Sequence, residues 1–240
     1  MDLGIRLKNI IDILPDLDKV ADIGTDHGYV LIKLIKKNKI KYGIASDNKI
    51  GPLNRAKKNA ELYGIKNKID FRLGSGLSTV KVNEVNGAIF AGMGSYLIKD
   101  LIEKDIDKIK KMDCILIQPA QNIEIIREYI YNGPFKVIKE DMIKEEDRFY
   151  QYILFKYDGN GKSNGESPNT YINKKYNYKL ALNYPEKRNN IILEYLDYEI
   201  NNNLDVLNKI TENNEKTEEK KEKLYNEIKN YEEIKNGFKS

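Results

Sequence analysis

The stretch VADIGTDHGYVLIKLI, Val20 to Ile35, sets two carboxylates, the chain's one histidine, a threonine and a tyrosine around two glycines. An apolar run closes on Asp22, Gly24 allows a tight turn, Gly28 permits close backbone approach, and a helical pattern resumes at Tyr29. A ligand can lie across such a turn. With His27 the sole histidine, a multi-histidine metal site is excluded. Cys114, the sole cysteine, lies in the apolar run CILI, which reads as a buried thiol and leaves neither a disulfide framework nor a Cys-based zinc site. No nucleophilic triad is visible, so the chemistry is that of a charged pocket that binds and orients.

The glycine spacing is G-x-x-x-G. It is not the G-x-G-x-x-G of a dinucleotide pyrophosphate loop, and no Walker lysine follows. Both phosphate-centred readings lose weight. S-adenosylmethionine has no phosphate, only an amino-acid zwitterion, a sulfonium, a ribose and an adenine, and it suits the loop of Asp22, Gly24, Thr25 and Gly28 better. Asp47 and Asn48 follow the second apolar run, where a carboxylate can accept both ribose hydroxyls; alone, Asp47 reads as a helix cap or a solvated turn residue, and with the Gly24/Gly28 loop it reads as a ribose ligand. Gly74, Ser75 and Gly76 form another tight loop, with Ser75 either at the adenine edge or a plain turn residue. In FAGMGS, Ala91, Gly92 and Gly94 let the chain pass beneath the donor methyl, while Met93 packs on adenine or fills the core. Gln118, Pro119 and Asn122 come next, in IQPAQN.

These turns need elements to hold them. Residues 1–157 alternate β-favouring runs with helical patterns, predicting strands at Lys19–Ile23, Lys41–Ala45, Ile69–Leu73, Ala88–Ala91, Cys114–Ile117, Phe135–Glu140 and Tyr150–Phe155. The first five lead into loops or helices, and only DMIKEEDRF joins the last two, which implies a hairpin with an antiparallel strand at the end of a parallel sheet. Seven strands with that tail suggest an α/β, seven-stranded, doubly wound sheet of the class I methyltransferase (Rossmann-like) type. Leu53, Ala56, Ala60 and Tyr63 share a helix face, which Gly64 ends in the left-handed region. Residues 158–169, DGNGKSNGESPN, read as a linker. Residues 170–240 read as a helical, coiled-coil-like appendage, with helices near Pro185–Glu212 and Glu215–Tyr231.

Taken together, RL at Arg6–Leu7, ADIGTDHGY at Ala21–Tyr29, GPLNRAKKN at Gly51–Asn59, LGSGL at Leu73–Leu77, AGMGS at Ala91–Ser95, IQP at Ile117–Pro119 and EEDRFYQYI at Glu145–Ile153 resemble the bacterial tRNA (adenine(22)-N1)-methyltransferases. The resemblance covers the chain to about Tyr157 and continues into the helical tail. It implies methyl transfer from S-adenosyl-L-methionine to N1 of an adenine in the tRNA core. It places the Gly24–Gly28 loop, Asp47, residues 74–76 and Ala91–Gly94 around the cofactor, and Asp26, His27, Tyr29, Gln118 and Asn122 toward the substrate. Ser75 and Ser95 stand where the family's GDGL and AGMGG have aspartate and glycine, and QPAQN replaces QPN, which passes the asparagine's role to Asn122 or Gln121.

Adenine N1 carries an in-plane lone pair and no proton in the neutral base, so its methylation needs no strong general base. The pocket has to align N1 and offset the positive charge that moves onto the base. Asp26 suits that role by accepting from the exocyclic amine or countering the charge, and it can also cap the following helix. The net charge of +4, from 41 Lys+Arg against 37 Asp+Glu, permits a nucleic-acid partner without demanding one. Arg6, Lys8, Lys33, Lys36, Lys37, Lys187 and Arg188 are the expected phosphate contacts. No apolar run approaches membrane-spanning length, and the expectation is a cytoplasmic, metal-free monomer with at most weak self-association.

Overall fold

The computed structural model describes residues 3–159, 178–181, 184–212 and 214–238. The chain divides into two compact units, Met1–Asn183 and Tyr184–Ser240. Of the expected linker, only Asp158 and Gly159 fall among the described residues, and the first residues of the expected tail, 170–177, lie outside them.

The first unit is built on seven strands: β1 (Leu17–Ile23), β2 (Ile40–Asp47), β3 (Ile69–Leu73), β4 (Gly87–Gly94), β5 (Cys114–Gln121), β6 (Phe135–Glu145) and β7 (Arg148–Tyr157). Their order in the sheet is β3-β2-β1-β4-β5-β7-β6. β1 pairs in parallel with β2 on one side and β4 on the other, Asp22 lying beside Ala45 and Ile89. The chain winds outward from β1 to β3 and then returns to β4. The carboxyl ends of β1 and β4 therefore flank the switch point, where an open α/β sheet leaves a crevice.

The antiparallel strand is where the sequence expectation needs correcting. β7 runs antiparallel to both neighbours and lies between β5 and β6, not at the end of the sheet. Its YQYILF run is buried from Gln151 to Phe155, whereas β6 carries Lys136, Lys139 and the exposed Ile138 and takes the edge. β4 and β5 also run further than expected. AGMG and QPAQ pair as an irregular extension, with register shifts between Ala91 and Gly94.

Alternation along the strands sorts the core onto two faces. Ile89, Leu116 and Leu154 join helices α1 (Ile5–Ile13), α2 (Tyr29–Lys36) and α3 (Ile50–Leu62) on one face. Phe90, Ile117 and Phe155 join α4 (Ser95–Lys104), the short α5 (Ile106–Ile109) and α6 (Ile123–Asn132) on the other. Cys114 is buried, which pushes its thiol up to about 12. Helix α1 was not anticipated. It buries Ile10, Ile11 and Ile13, and the Tyr152 hydroxyl donates to the Arg6 carbonyl at 2.9 Å, tying α1 to β7.

Behind β6 and β7 lies a fully buried ion pair. Arg127 Nε donates to Glu140 at 2.8 Å, its two terminal nitrogens donate to the Gln151 side chain (2.8 Å) and the Tyr178 carbonyl (2.5 Å), and the Tyr131 hydroxyl donates to Glu140 at 2.8 Å. This network holds residues 178–179 against the sheet domain.

The second unit contains α7 (Asn189–Asn208) and α8 (Glu215–Gly237). Asn203 donates to Glu227 and Lys235 pairs with Asp197, contacts whose crossed order makes the helices antiparallel. Asn214 and Thr217 form a reciprocal cap that starts α8. α7 buries Ile192, Tyr195, Leu196 and Asn203 and leaves Leu204 exposed.

Candidate functional site

The β1–α2 loop is stitched to its neighbours through backbone. Gly24 and Thr25 amides both donate to the Ser46 carbonyl, at 2.8 and 3.1 Å, and the Gly74 amide donates to the Asp47 carbonyl at 2.9 Å. These bonds level the carboxyl ends of β1, β2 and β3 and commit the first loop amides internally. Ligand recognition falls to side chains and later backbone. Gly24 and Gly28 are left-handed, φ +75° and +69°. A Cβ at Gly28 would sit 3.0 Å from Ala56 Cβ, so the close approach that this glycine permits is to α3.

A cleft of about 300 Å3 opens above that loop. Asp22, Gly24, Thr25, Asp26, His27, Gly28 and Tyr29 line it from β1 and α2, Ala91 and Gly92 from β4, and Arg6 and Leu7 from α1. Thr25 and Asp22 are both buried, and the Thr25 hydroxyl donates to Asp22 at 2.7 Å. Burial pushes the Asp22 carboxyl up to about 6; the Thr25 bond offsets part of that, and nearby Asp47 adds to it. At the rim, the exposed Asp26 carboxylate pairs with Arg55 of α3 and with His27 Nε2 at 3.2 Å. The His27 ring stacks on Tyr29, centroids 5.3 Å apart and planes 11° from parallel. The Asn59 side chain holds the His27 carbonyl at 2.9 Å.

Other expected residues stand along the same edge outside this cleft. Asp47 accepts from the Lys49 amide at 2.8 Å, an Asx-type turn, and its second oxygen has no partner among the described residues. Asn48 and Ser75 are exposed, while Gly74 and the left-handed Gly76 shape the β3 turn. Met93 packs against the core on the α4 face, its methyl reaching to Gly24, and Gly94 starts α4. Asn122 is exposed, left-handed at φ +56°, and precedes α6. Gln118 differs most from expectation. It is 1% exposed, accepts from Arg6 Nη1 at 2.8 Å and donates to the Pro119 carbonyl at 2.7 Å. Both ends of its amide are used inside the protein, so it faces Arg6 and not a substrate.

The basic residues do not converge. Arg6 belongs to the cleft wall, its guanidinium 5.7 Å from the Tyr150 ring centroid. Lys33, Lys36 and Lys37 follow the start of α2 by one to two turns and point to the opposite end of the sheet. Lys36 lies over the Tyr63 ring and Lys37 pairs with Asp12. Lys8 is exposed on α1, and Lys187 and Arg188 belong to the turn before α7 in the second unit. Arg55 was missed as a site residue; its place in GPLNRAKKN, one helix away from the DHGY loop, was the available signal.

A buried carboxylate with one hydroxyl partner, held near 6, calls for a cationic ligand and disfavours a phosphate. Among the described residues no cluster of three or more His, Cys, Asp or Glu could hold a metal ion, and no helix is long and apolar enough to cross a membrane. The cleft's chemistry fits S-adenosylmethionine, which presents an ammonium and a sulfonium beside an adenosine. Fold and cleft together define a class I, Rossmann-like methyltransferase.

The chain belongs to the methyltransferase-domain family, whose model matches residues 3–153. It is homologous to the bacterial tRNA (adenine(22)-N(1))-methyltransferases, being 29% identical to that of Bacillus subtilis over 184 residues, 74% of this chain and 77% of the relative. The structure of M. capricolum TrmK in complex with S-adenosyl-homocysteine superposes with TM-score 0.78 at 26% identity, covering 98% of both chains. A Streptococcus agalactiae protein of the NADB-Rossmann superfamily superposes with TM-score 0.82 at 25% identity, also covering 98% of both.

Proposed function

We propose that this chain methylates N1 of adenosine 22 in tRNA, using S-adenosylmethionine. The observation that carries the proposal is the cation-seeking Asp22 at the switch-point cleft, set within the same DHGY loop whose Asp26 stands at the rim. Homology to the B. subtilis enzyme supports the substrate. When bound, S-adenosylmethionine supplies an electrophilic methyl on a sulfonium.

Asp22, Thr25 and the glycine turn hold the cofactor, with Asp47 on its ribose and residues 74–76 toward its adenine. Asp26 faces the incoming base, where its carboxylate accepts from the exocyclic amine or offsets the charge that the ring acquires. Arg55 and His27 fix that carboxylate. Tyr29 and His27 present a stacked aromatic face on which an unstacked adenine can rest; extruding the base costs a few kcal/mol. Lys8 and the Lys187–Arg188 turn serve as phosphate contacts, and the α7–α8 hairpin grips the tRNA body. The protein acts as a monomer in the cytoplasm, the single buried thiol supporting the reducing compartment.

The test is to incubate purified protein with methyl-labelled S-adenosylmethionine and unmodified tRNA, then map the label. Label at N1 of adenosine 22, lost when that position is replaced, is the expected result. Cofactor binding with unlabelled tRNA would leave the fold assignment standing and remove the substrate.

A further inference from the structure

We propose that Arg6 anchors the carboxylate of the cofactor's amino-acid end, and that Arg6 and Asp22 together form a split clamp for a zwitterion. The inference rests on the reading of the cleft as an S-adenosylmethionine site and deepens it.

Arg6 and Asp22 line the same cleft of about 300 Å3, Arg6 from α1 and Asp22 from the end of β1. Three other arginines meet acids: Arg55 meets Asp26, Arg72 meets Asp70 and Glu84, and Arg127 meets Glu140. Arg6 has no acidic partner among the described residues. Neutral groups hold it instead. One terminal nitrogen donates 2.8 Å to the Gln118 amide oxygen, and the guanidinium lies over the Tyr150 ring. Gln118 is fixed in turn by its bond to the Pro119 carbonyl, so the guanidinium is aimed without being neutralised. Its other N–H groups remain to be used.

In the same cleft, the one hydrogen-bond partner of the Asp22 side chain among the described residues is the Thr25 hydroxyl. A cation without an anion and a buried anion without a cation, kept apart in one cleft, complement an α-amino acid, whose ammonium and carboxylate differ in sign. A guanidinium also matches a carboxylate in shape, with paired N–H groups in one plane. Gly92 of β4 borders it: a Cβ there would come 3.6 Å from Arg6 Nη1, an ordinary contact. Arg6 is therefore a cofactor residue, and the phosphate contact expected of it passes to other cations.

The test is calorimetric binding of two ligands that differ only at the amino-acid end. S-adenosylhomocysteine carries the zwitterion, and 5′-methylthioadenosine lacks it. Arg6→Ala should weaken S-adenosylhomocysteine roughly tenfold to a hundredfold and leave 5′-methylthioadenosine within about twofold. Arg6→Lys should recover part of the loss. Since either variant could perturb α1, the unmutated protein is also titrated with decarboxylated S-adenosylhomocysteine, which should bind as weakly to it as to Arg6→Ala. Equal weakening of both ligands by Arg6→Ala, or full affinity of the decarboxylated ligand for the unmutated protein, overturns the clamp. A fall in tRNA affinity with unchanged S-adenosylhomocysteine binding overturns it in favour of a phosphate contact. If the unmutated protein binds neither nucleoside, the cofactor reading itself fails.

Discussion

The Arg55 guanidinium of α3 donates to the Asp26 carboxylate of the β1–α2 loop, joining two segments 29 residues apart across the mouth of the cleft. Asp26 also meets His27 Nε2, so its two oxygens are held from different sides. All three side chains are well exposed, and surface pairs of this kind add little to stability. In the proposed reaction the pair's value lies in placing a carboxylate where a base enters.

Removing the holder should therefore affect turnover and spare the fold. Arg55→Met is expected to lower kcat for tRNA methylation by about tenfold, with S-adenosylhomocysteine affinity and melting temperature unchanged; Asp26→Asn should lower it further. Single-turnover methylation alongside calorimetry separates the effects. A variant with unaltered kcat would remove Asp26 placement from the mechanism.

The buried Asp22 carboxyl, raised to about 6 from an ordinary value of 3.8, has two consequences for pH. Between these values the folded state holds a proton that the unfolded chain has lost. Stability from this group therefore falls as pH rises from about 4 to about 6, by about 3 kcal/mol, and is level above. Ligand binding runs the other way. A cation beside Asp22 favours its ionised form, so binding expels a proton below pH 6, and affinity should climb as pH rises from 5 to 6 and then level. Titrations of S-adenosylhomocysteine at pH 5, 6, 7 and 8 check this, with Asp22→Asn flattening the profile. A flat profile for the unmutated protein would contradict the assignment.

Much of this was readable because local signals and tertiary structure agree. Ile69–Leu73 is a strand as expected, and Gly64 ends α3 with φ +70°, the Ile65 amide reaching back to the Ala60 carbonyl. The DHGY loop was legible because its glycines and acids fall within eight residues. What escaped depends on distance along the chain. Arg6 enters the cleft only because α1 packs beside β6 and β7, and the Gln118 amide is turned inward by Arg6, 112 residues away. The order of β6 and β7 was likewise hidden. A short connection reveals the hairpin, but which arm meets β5 is decided by which arm is apolar on both faces. Lysine positions in sequence could not show that α2 carries its basic end away from the site.

Two left-handed glycines allow a matched test of close packing. Gly64 has open space where a Cβ would go, and Gly64→Ala should cost about 1 kcal/mol from backbone strain alone. Gly28 has the same backbone region, but its Cβ would meet Ala56 Cβ at 3.0 Å and Cα at 3.3 Å. Gly28→Ala should cost about 2–4 kcal/mol in urea unfolding, because α2 and α3 must separate. It should also weaken S-adenosylhomocysteine, since the loop moves with α2. Equal losses at the two sites would mean that this helix contact yields freely.

The Arg127–Glu140 pair has both side chains fully buried, and it tests a different kind of stability. Its charges were taken out of water and are balanced by each other, by Tyr131 and Gln151, and by the Tyr178 carbonyl. Arg127→Met strands the Glu140 carboxylate and should destabilise by about 3–5 kcal/mol. Pairing it with Glu140→Leu removes the stranded charge and should recover most of that loss, because an apolar pair of similar volume needs no solvation. Arg127→Met alone also frees the Tyr178 carbonyl, so residues 178–179 should become open to limited proteolysis before the sheet unfolds. The double variant will not restore that contact, since neither methionine nor leucine donates a hydrogen bond. Urea unfolding that recovers in the double variant while proteolysis near Tyr178 persists would separate the two duties of Arg127, charge balance within the sheet domain and retention of the chain that leaves it. Recovery of both together would show that the carbonyl contact merely follows the packing.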